Sequence, residues 1–294
     1  MKKYLLLVFC SALFTPCFLA AQSTPDHPIR VIVFGAHPDD CDIEAGGLAA
    51  LYTAAGHKVK FVSLTNGDMG HQDIGGGDLA RRRLAEAKES GRRLGVEYEV
   101  LDNHDAELVP SLENRLKVIR LIREWNADIV ISSRPNDYHP DHRNTGILVQ
   151  DAAYLVIVPN VLSSVPPLKK NPVFLYVRDY FQRPNPFRPD IAVDITGVYD
   201  KKINALDAHV SQVYEWLPWT EQQLDQVPKD ATARKTWLAK NYAAPITPEI
   251  RASLEKWYGK AKASKVVHAE AYEICEYGRR PSEEEIRQLF PMLK

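Results

Sequence analysis

This 294-residue chain has few cysteines and methionines and almost no excess charge: 4 Cys, 3 Met and a formal net charge of −1. Cys10 and Cys17 fall in the N-terminal apolar stretch, which leaves Cys41 and Cys275 for the remainder. Two such thiols do not make a disulfide framework; they read as independent buried cysteines, with a pairing across the chain as the alternative. Because 37 Lys and Arg nearly balance 38 Asp and Glu, no global field draws in nucleic acid or an anionic membrane surface. Also missing are a G-x-G-x-x-G fingerprint and a P-loop. The loop after the first apolar run, Gly35-Ala36-His37-Pro38-Asp39-Asp40, carries acids where a pyrophosphate would be repelled, which disfavours a nicotinamide enzyme. No internal repeat and no second-domain boundary is visible.

What is present begins at the N-terminus. Met1-Lys2-Lys3, the apolar run from Tyr4 to Phe9 and the close at Leu19-Ala20-Ala21 have the layout of a secretory signal peptide over residues 1–21, cleaved near Ala21. A membrane anchor is the competing reading, but Ser11, Thr15 and Pro16 interrupt the run before the roughly 20 apolar residues that a spanning helix needs. Pro16 before Cys17 disfavours a lipoprotein. The expectation is a periplasmic or secreted protein with no stable membrane span after cleavage. With 45% apolar residues, segment 22–294 can bury a substantial core and reads as a single domain.

Apolar, β-branched runs at Ile29–Phe34, Lys58–Leu64, Glu97–Leu101, Asp128–Ser132 and Val173–Val177 predict strands. Helical patterns at Ala45–Gly56, Leu79–Leu94 and Leu112–Trp125 alternate with them. Such alternation implies parallel pairing through right-handed crossovers with helices on both faces. The expected fold class is α/β, a Rossmann-like three-layer sandwich with a mostly parallel sheet, which binds ligands beyond the carboxyl ends of its strands.

Two loops at such ends carry chemistry. His37-Pro38-Asp39-Asp40 follows the first strand and His139-Pro140-Asp141-His142 the fourth, and the two converge if those strands are neighbours. Imidazole and carboxylate ligands with an open position suit catalytic zinc, whereas structural zinc favours cysteine; iron or manganese accept the same donors. Taken singly, each His-Pro also reads as a turn whose carboxylates cap helices.

In order along the chain stand Ala36-His37-Pro38-Asp39-Asp40 with Gly46-Gly47, Thr65-Asn66-Gly67-Asp68, Arg83 with Glu86 before Leu94-Gly95, and His139-Pro140-Asp141-His142. Later come Ala208-His209-Val210-Ser211-Gln212 and His268-Ala269-Glu270-Ala271-Tyr272. With these motifs the chain resembles the LmbE-like, or PIG-L, family of N-acetylglucosaminyl deacetylases over essentially all of segment 22–294. The resemblance implies His37, Asp40 and His142 as ligands of Zn2+, with another divalent ion such as Fe2+ as the alternative. It implies Asp39 as general base and a protonated His139 that stabilises the oxyanion. Asp141 becomes a carboxylate partner of His139, while Arg83 and Asp105 meet sugar hydroxyls or the polar end of the substrate. The expected activity is release of an N-acetyl group from an amino sugar or glycoconjugate. A metal-containing carbohydrate-binding protein without turnover, and a zinc hydrolase of another amide or ester, are the alternatives.

Cys41 stands where an acid more often follows the two aspartates; Glu44 offers a carboxylate nearby, and the thiol is placed near the metal. His209 reads as a core histidine. His71 and His104 are not placed by their sequence context. The stretch 213–248, with Tyr214, Trp216, Trp219, Trp237 and Tyr242, reads either as a sugar platform or as packing. The expected partner is a small molecule or glycan, and a homo-oligomeric state stays open.

Overall fold

A computed structural model describes residues 27–293; the expected signal peptide lies outside them. The β-branched runs become seven strands: β1 Arg30–Gly35, β2 Lys58–Thr65, β3 Glu97–Asn103, β4 Ile129–Ser132, β5 Val173–Val177, β6 Ile191–Asp194 and β7 Ala269–Ile274. They form one sheet in the order β3-β2-β1-β4-β5-β7-β6. The pairs from β3 to β5 are parallel, and β7 runs antiparallel to both β5 and β6. This is the expected mostly parallel α/β sandwich.

Strand period explains why two cores form. Val31, Val33 and Ile131 point to one face, where Leu48, Tyr52 and Leu206 cover them. Ile32, Phe34 and Val130 point to the other, under Val118, Ile122 and Val149. Alternate residues are thus apolar on both sides, as a sheet covered by helices requires. The covering helices include α1 Asp40–Ala54, α2 Gly76–Leu94, α3 Leu112–Trp125, α4 Pro140–Leu155 and α5 Tyr199–Leu206. Among the described residues, no helix is long and apolar enough to cross a membrane.

α1 starts at Asp40 rather than Ala45, so two carboxylates, Asp40 and Asp42, occupy its first turn. Acids suit that end of the helix macrodipole, but they break the apolar period and hide the start from a pattern search. The functional consequence lies in the strand order. It reverses between β1 and β4, so the loops after these two strands meet at one rim of the sheet.

Candidate metal centre and active site

The first loop folds back on its own helix. Asp40 Oδ2 accepts hydrogen bonds from the backbone N–H of Ala36 and of His37, both at 2.8 Å. In the second loop His139 is the N-cap of α4, its Nδ1 accepting from the backbone N–H of Asp141 at 3.2 Å. Pro140 occupies the first helical turn, where its missing N–H leaves no bond unmade. The fully buried Asp141 carboxylate accepts from the backbone N–H of Ala106 at 2.7 Å and of Leu108 at 3.2 Å. That pair of bonds draws the loop after β3, with Asp105, over the same rim.

Three donor atoms then form a triangle. His37 Nδ1 lies 3.2 Å from His142 Nε2 and 3.6 Å from Asp40 Oδ2, and the last two are 3.4 Å apart. A tetrahedral ion with bonds of roughly 2.0–2.1 Å places its ligands about 3.3 Å apart. The donor set and its spacing therefore fit a divalent metal, with a side left open toward the cavity. His139 also offers a ring nitrogen within 4.8 Å of those of His37 and His142. Behind the triangle, carboxylates face the far nitrogens: Asp105 and Asp141 stand 3.1 and 3.4 Å from His37 Nε2, and Asp137 stands 3.1 Å from His142 Nδ1. Such outer carboxylates orient metal-binding imidazoles and raise their basicity.

Adjacent acids have opposite environments. Burial would push Asp40 up, yet the facing His142 and His37 overcome it and hold the carboxyl far below its usual range. Asp39, 4% exposed, is pushed up by burial, and the charge of Arg83 only partly opposes this. Arg83 itself is 2% exposed. Its Nη2 donates to Asp39 Oδ1 at 2.8 Å and its Nη1 to the carbonyl of Gly67 at 3.1 Å, with Asp105 Oδ2 3.7 Å away. Gly67 has φ of +68°, and a Cβ there would meet the guanidinium at 2.4 Å, so the turn admits glycine alone. Arg83 and Asp105 both line the cavity. Their contacts make them, in the first place, the groups that hold Asp39 and His37.

The structure adds detail at three expected positions. At His139, burial and the neighbouring His37 and His142 lower the pKa, and Nδ1 accepts a backbone N–H. With Nδ1 accepting, a proton on the ring sits on Nε2. The carboxylate of Asp141 is hydrogen-bonded to the loop after β3 and lies beside His37 as well as His139. The Cys41 thiol donates to the carbonyls of Val33 and Val62. It and Cys275 are both buried and free.

The remaining histidines lie outside the cavity wall. His209 is buried against Asp42, 3.0 Å away. His71 meets Glu215 at 2.8 Å and His104 meets Asp68 at 2.6 Å.

The turn that bears Asp40 is held by distant side chains. In mid-α1, the N–H groups of Gly47 and Leu48 donate to Glu270 Oε1 and Oε2, at 2.8 and 2.7 Å. Lys202 Nζ donates to the carbonyl of Ile43 at 2.6 Å and to Glu270 Oε1 at 2.7 Å. Tyr272 Oη lies 3.1 Å from Glu270 Oε2 and 3.3 Å from the carbonyl of Glu44. Side chains from α5 and β7 thus engage the groups that would close the helix between residues 43–44 and 47–48. A Cβ on Gly47 would stand 2.8 Å from Ile195, and one on Gly46 would stand 3.2 Å from Lys202. Gly46 lets Lys202 approach, and Gly47 makes room for Ile195.

The open side of the triangle faces a cavity of about 620 Å³. Met69, Tyr138, Tyr180, Phe181 and Trp216 supply its apolar wall. Trp216 and Gln212 share a π-helical stretch, Ser211–Trp216, a widened turn that recurs at functional sites. Of the other aromatics in 213–248, Trp219 stacks on Trp216 at 5.2 Å, while Tyr214, Trp237 and Tyr242 pack into the core. Glu44 also lines the cavity. Burial pushes its carboxyl up to about 8, Lys202 opposes this, and Asp40 adds to it.

The model of the family described as PIG-L: GlcNAc-PI de-N-acetylase matches residues 32–153, the span that carries both His-Pro-Asp loops. The diacetylchitobiose deacetylase of Thermococcus kodakarensis is 35% identical over 203 residues, covering 65% of this chain and 73% of that protein. The chain belongs to the PIG-L (LmbE-like) family. The solved N,N'-diacetylchitobiose deacetylase of Pyrococcus horikoshii superposes with a TM-score of 0.60 at 26% identity, over 84% of each chain. The 4-carboxy-2-hydroxymuconate hydratase of Pseudomonas putida superposes at 0.64 with 21% identity, over 87% of this chain and 98% of that one; that likeness concerns the fold alone. The deacetylase relatives place this PIG-L chain among the deacetylases of the family, and its described residues include a His/Asp group able to bind a metal.

Sequence reading did not single out Asp137, Lys202 or a wall position for Glu44. Asp137 carried a signal, since it stands two residues before the second motif. Lys202 carried none.

Proposed function

We propose that this PIG-L member is an exported, zinc-dependent deacetylase that hydrolyses the N-acetyl group of an amino sugar or its glycoconjugate. The observation that carries the reading is the triangle of His37, Asp40 and His142 with Asp39 beside it, buried, raised in pKa and outside the triangle. When bound, the metal supplies a Lewis acid that polarises a carbonyl and lowers the pKa of water from 15.7 toward roughly 7.

The chain's residues do the rest. Arg83 fixes Asp39 through Oδ1 and leaves Oδ2 to take a proton from the attacking water. His139, neutral with its proton on Nε2, donates that N–H to the oxyanion that develops on the acetyl carbonyl. Asp39 then returns the proton to the departing nitrogen, so that one water and one amide give acetate and an amine. Asp105, Asp137 and Asp141 keep the imidazoles oriented.

The test is acetate release from a panel of N-acetylated sugars by the zinc-loaded protein. Asp39→Asn should lose at least about a hundredfold in kcat while it retains one metal per chain. Turnover near wild type in that variant removes Asp39 from the mechanism. Absence of acetate from every sugar, with metal bound, rejects the activity.

A further inference from the structure

The charged groups of the cavity wall are nearly all paired within the protein. Asp39 and Asp105 hold Arg83 and His37. Asp40 takes two backbone N–H groups, and Asp137 faces His142. Asp179 meets Arg134 through both oxygens and accepts the N–H of Phe181 at 2.9 Å. Two titratable side chains of the wall stand apart from this pairing. Among the described residues, Glu44 has no cation within ion-pair distance and no hydrogen-bond partner for its carboxyl. Arg178 has no carboxylate partner; it donates to the carbonyl of Pro245 at 2.8 Å, and its guanidinium lies 4.9 Å from the ring of Tyr180.

Buried and half-buried polar groups in native structures find partners, and a pocket fixes its ligand with a few convergent polar groups. A guanidinium without a protein carboxylate, beside an exposed aromatic ring, suits a planar or tetrahedral oxyanion. Tyr180 is 67% exposed, which puts this pair at the cavity rim. A carboxyl without a partner on the inner wall suits sugar hydroxyls. We propose that Glu44 and Arg178 are the specificity-determining polar residues of the site. Glu44 receives hydroxyls of the acetamido sugar, and Arg178 with Tyr180 receives an oxyanion substituent, so that the substrate class is an anionic N-acetylated amino sugar. This rests on the deacetylase reading above and deepens it.

The probes are N-acetylglucosamine and its derivatives bearing a lactyl ether carboxylate, a 6-phosphate or a 6-sulfate, with the zinc-loaded protein. The proposal expects kcat/KM about tenfold or more higher for at least one anionic probe than for the neutral sugar, and the ranking of the three names the oxyanion. Arg178→Met should bring that ratio to about one through KM of the anionic probe. Glu44→Ala should raise KM for neutral and anionic probes alike. A wild-type ratio near one, or an Arg178→Met ratio equal to that of wild type, overturns the proposal. Binding of the same probes to zinc-loaded Asp39→Asn separates the two readings. Arg178-dependent affinity for anionic sugars without turnover by wild type sustains the subsite and rejects deacetylation. Turnover without Arg178 dependence does the reverse.

Discussion

Glu270→Gln tests whether the side-chain clamp on α1 matters to the metal. Glu270 and Lys202 are each 6% exposed and 2.7 Å apart, and the same carboxylate accepts the N–H groups of Gly47 and Leu48. An amide in its place offers one acceptor where two oxygens served, leaves a backbone N–H facing an NH2 group and strips Lys202 of its counter-charge. Removing one partner of a buried pair costs about 3–5 kcal/mol, a large share of the roughly 5–15 kcal/mol that a domain has. At about 2–4 °C per kcal/mol for chains of this order, Tm should fall by roughly 10 °C in calorimetry. Metal affinity, read by chelator competition, should weaken about tenfold, because the turn that carries Asp40 loses its anchor. The double variant Lys202→Met with Glu270→Met buries no charge and leaves the N–H groups of Gly47 and Leu48 to the carbonyls of Ile43 and Glu44, their partners in helix geometry. It should regain most of the lost stability yet keep the weakened metal binding. A Tm within about 2 °C of wild type for Glu270→Gln, or wild-type metal affinity in the double variant, refutes the clamp.

Two further outcomes follow from burial. Glu44 has a folded pKa of about 8 against 4.5 for an exposed glutamate, so the unfolded chain ionises first and stability falls as pH rises from about 4.5 to 8. Glu44→Gln in chelator-treated protein should match wild type near pH 4 and exceed it at pH 8 by up to a few kcal/mol in urea unfolding; equal stability at pH 8 contradicts the burial of that carboxyl. Gly47→Ala places a Cβ 2.8–2.9 Å from three atoms of Ile195, branched and buried at 2% exposure. Overpacking of that kind should lower the denaturant midpoint by about 1–3 kcal/mol, and an unshifted midpoint would mean that α1 moves freely there.

Much of the fold was legible because its strands are apolar on both faces. Runs such as Ile129–Ser132 announce themselves whatever surrounds them, and the two His-Pro-Asp loops follow β1 and β4. The clamp was not legible in that way. Lys202 and Glu270 lie 68 residues apart, and only the three-dimensional meeting of α5 with β7 gives either a purpose. Arg83 was masked differently. In the run Arg81-Arg82-Arg83 the side chains are 74%, 33% and 2% exposed, since each step along a helix turns by 100°. A run of three basic residues, which by pattern alone suggests one solvated face, therefore sends one member to the cavity wall, and only the family resemblance singled it out. At His139 a sequence does not disclose which ring nitrogen accepts the N–H of a helix N-terminus, here Nδ1.

The contrast between Asp39 and Asp40 leads to the last prediction. Neighbours in sequence, they are driven apart by environment: facing imidazoles and two backbone N–H groups keep Asp40 ionised, as the proposed ligand role needs, whereas Asp39 has burial against it and mainly Arg83 for it. Pairs of titratable groups pushed in opposite directions mark an acid–base assignment. A general base must be deprotonated to work, so in the mechanism proposed above Arg83 sets where activity begins on the acid side. Arg83→Met removes the principal cation that lowers the pKa of Asp39; the pKa then rises, and the acidic limb of the kcat profile moves to higher pH. The shift should be one unit or more for a charge 2.8 Å away in a buried site, and Arg83→Lys should restore part of it. A structural defect alone would lower kcat at every pH without moving the limb. A limb that stays in place in Arg83→Met would therefore mean that Asp39 is not the group whose ionisation the profile reports.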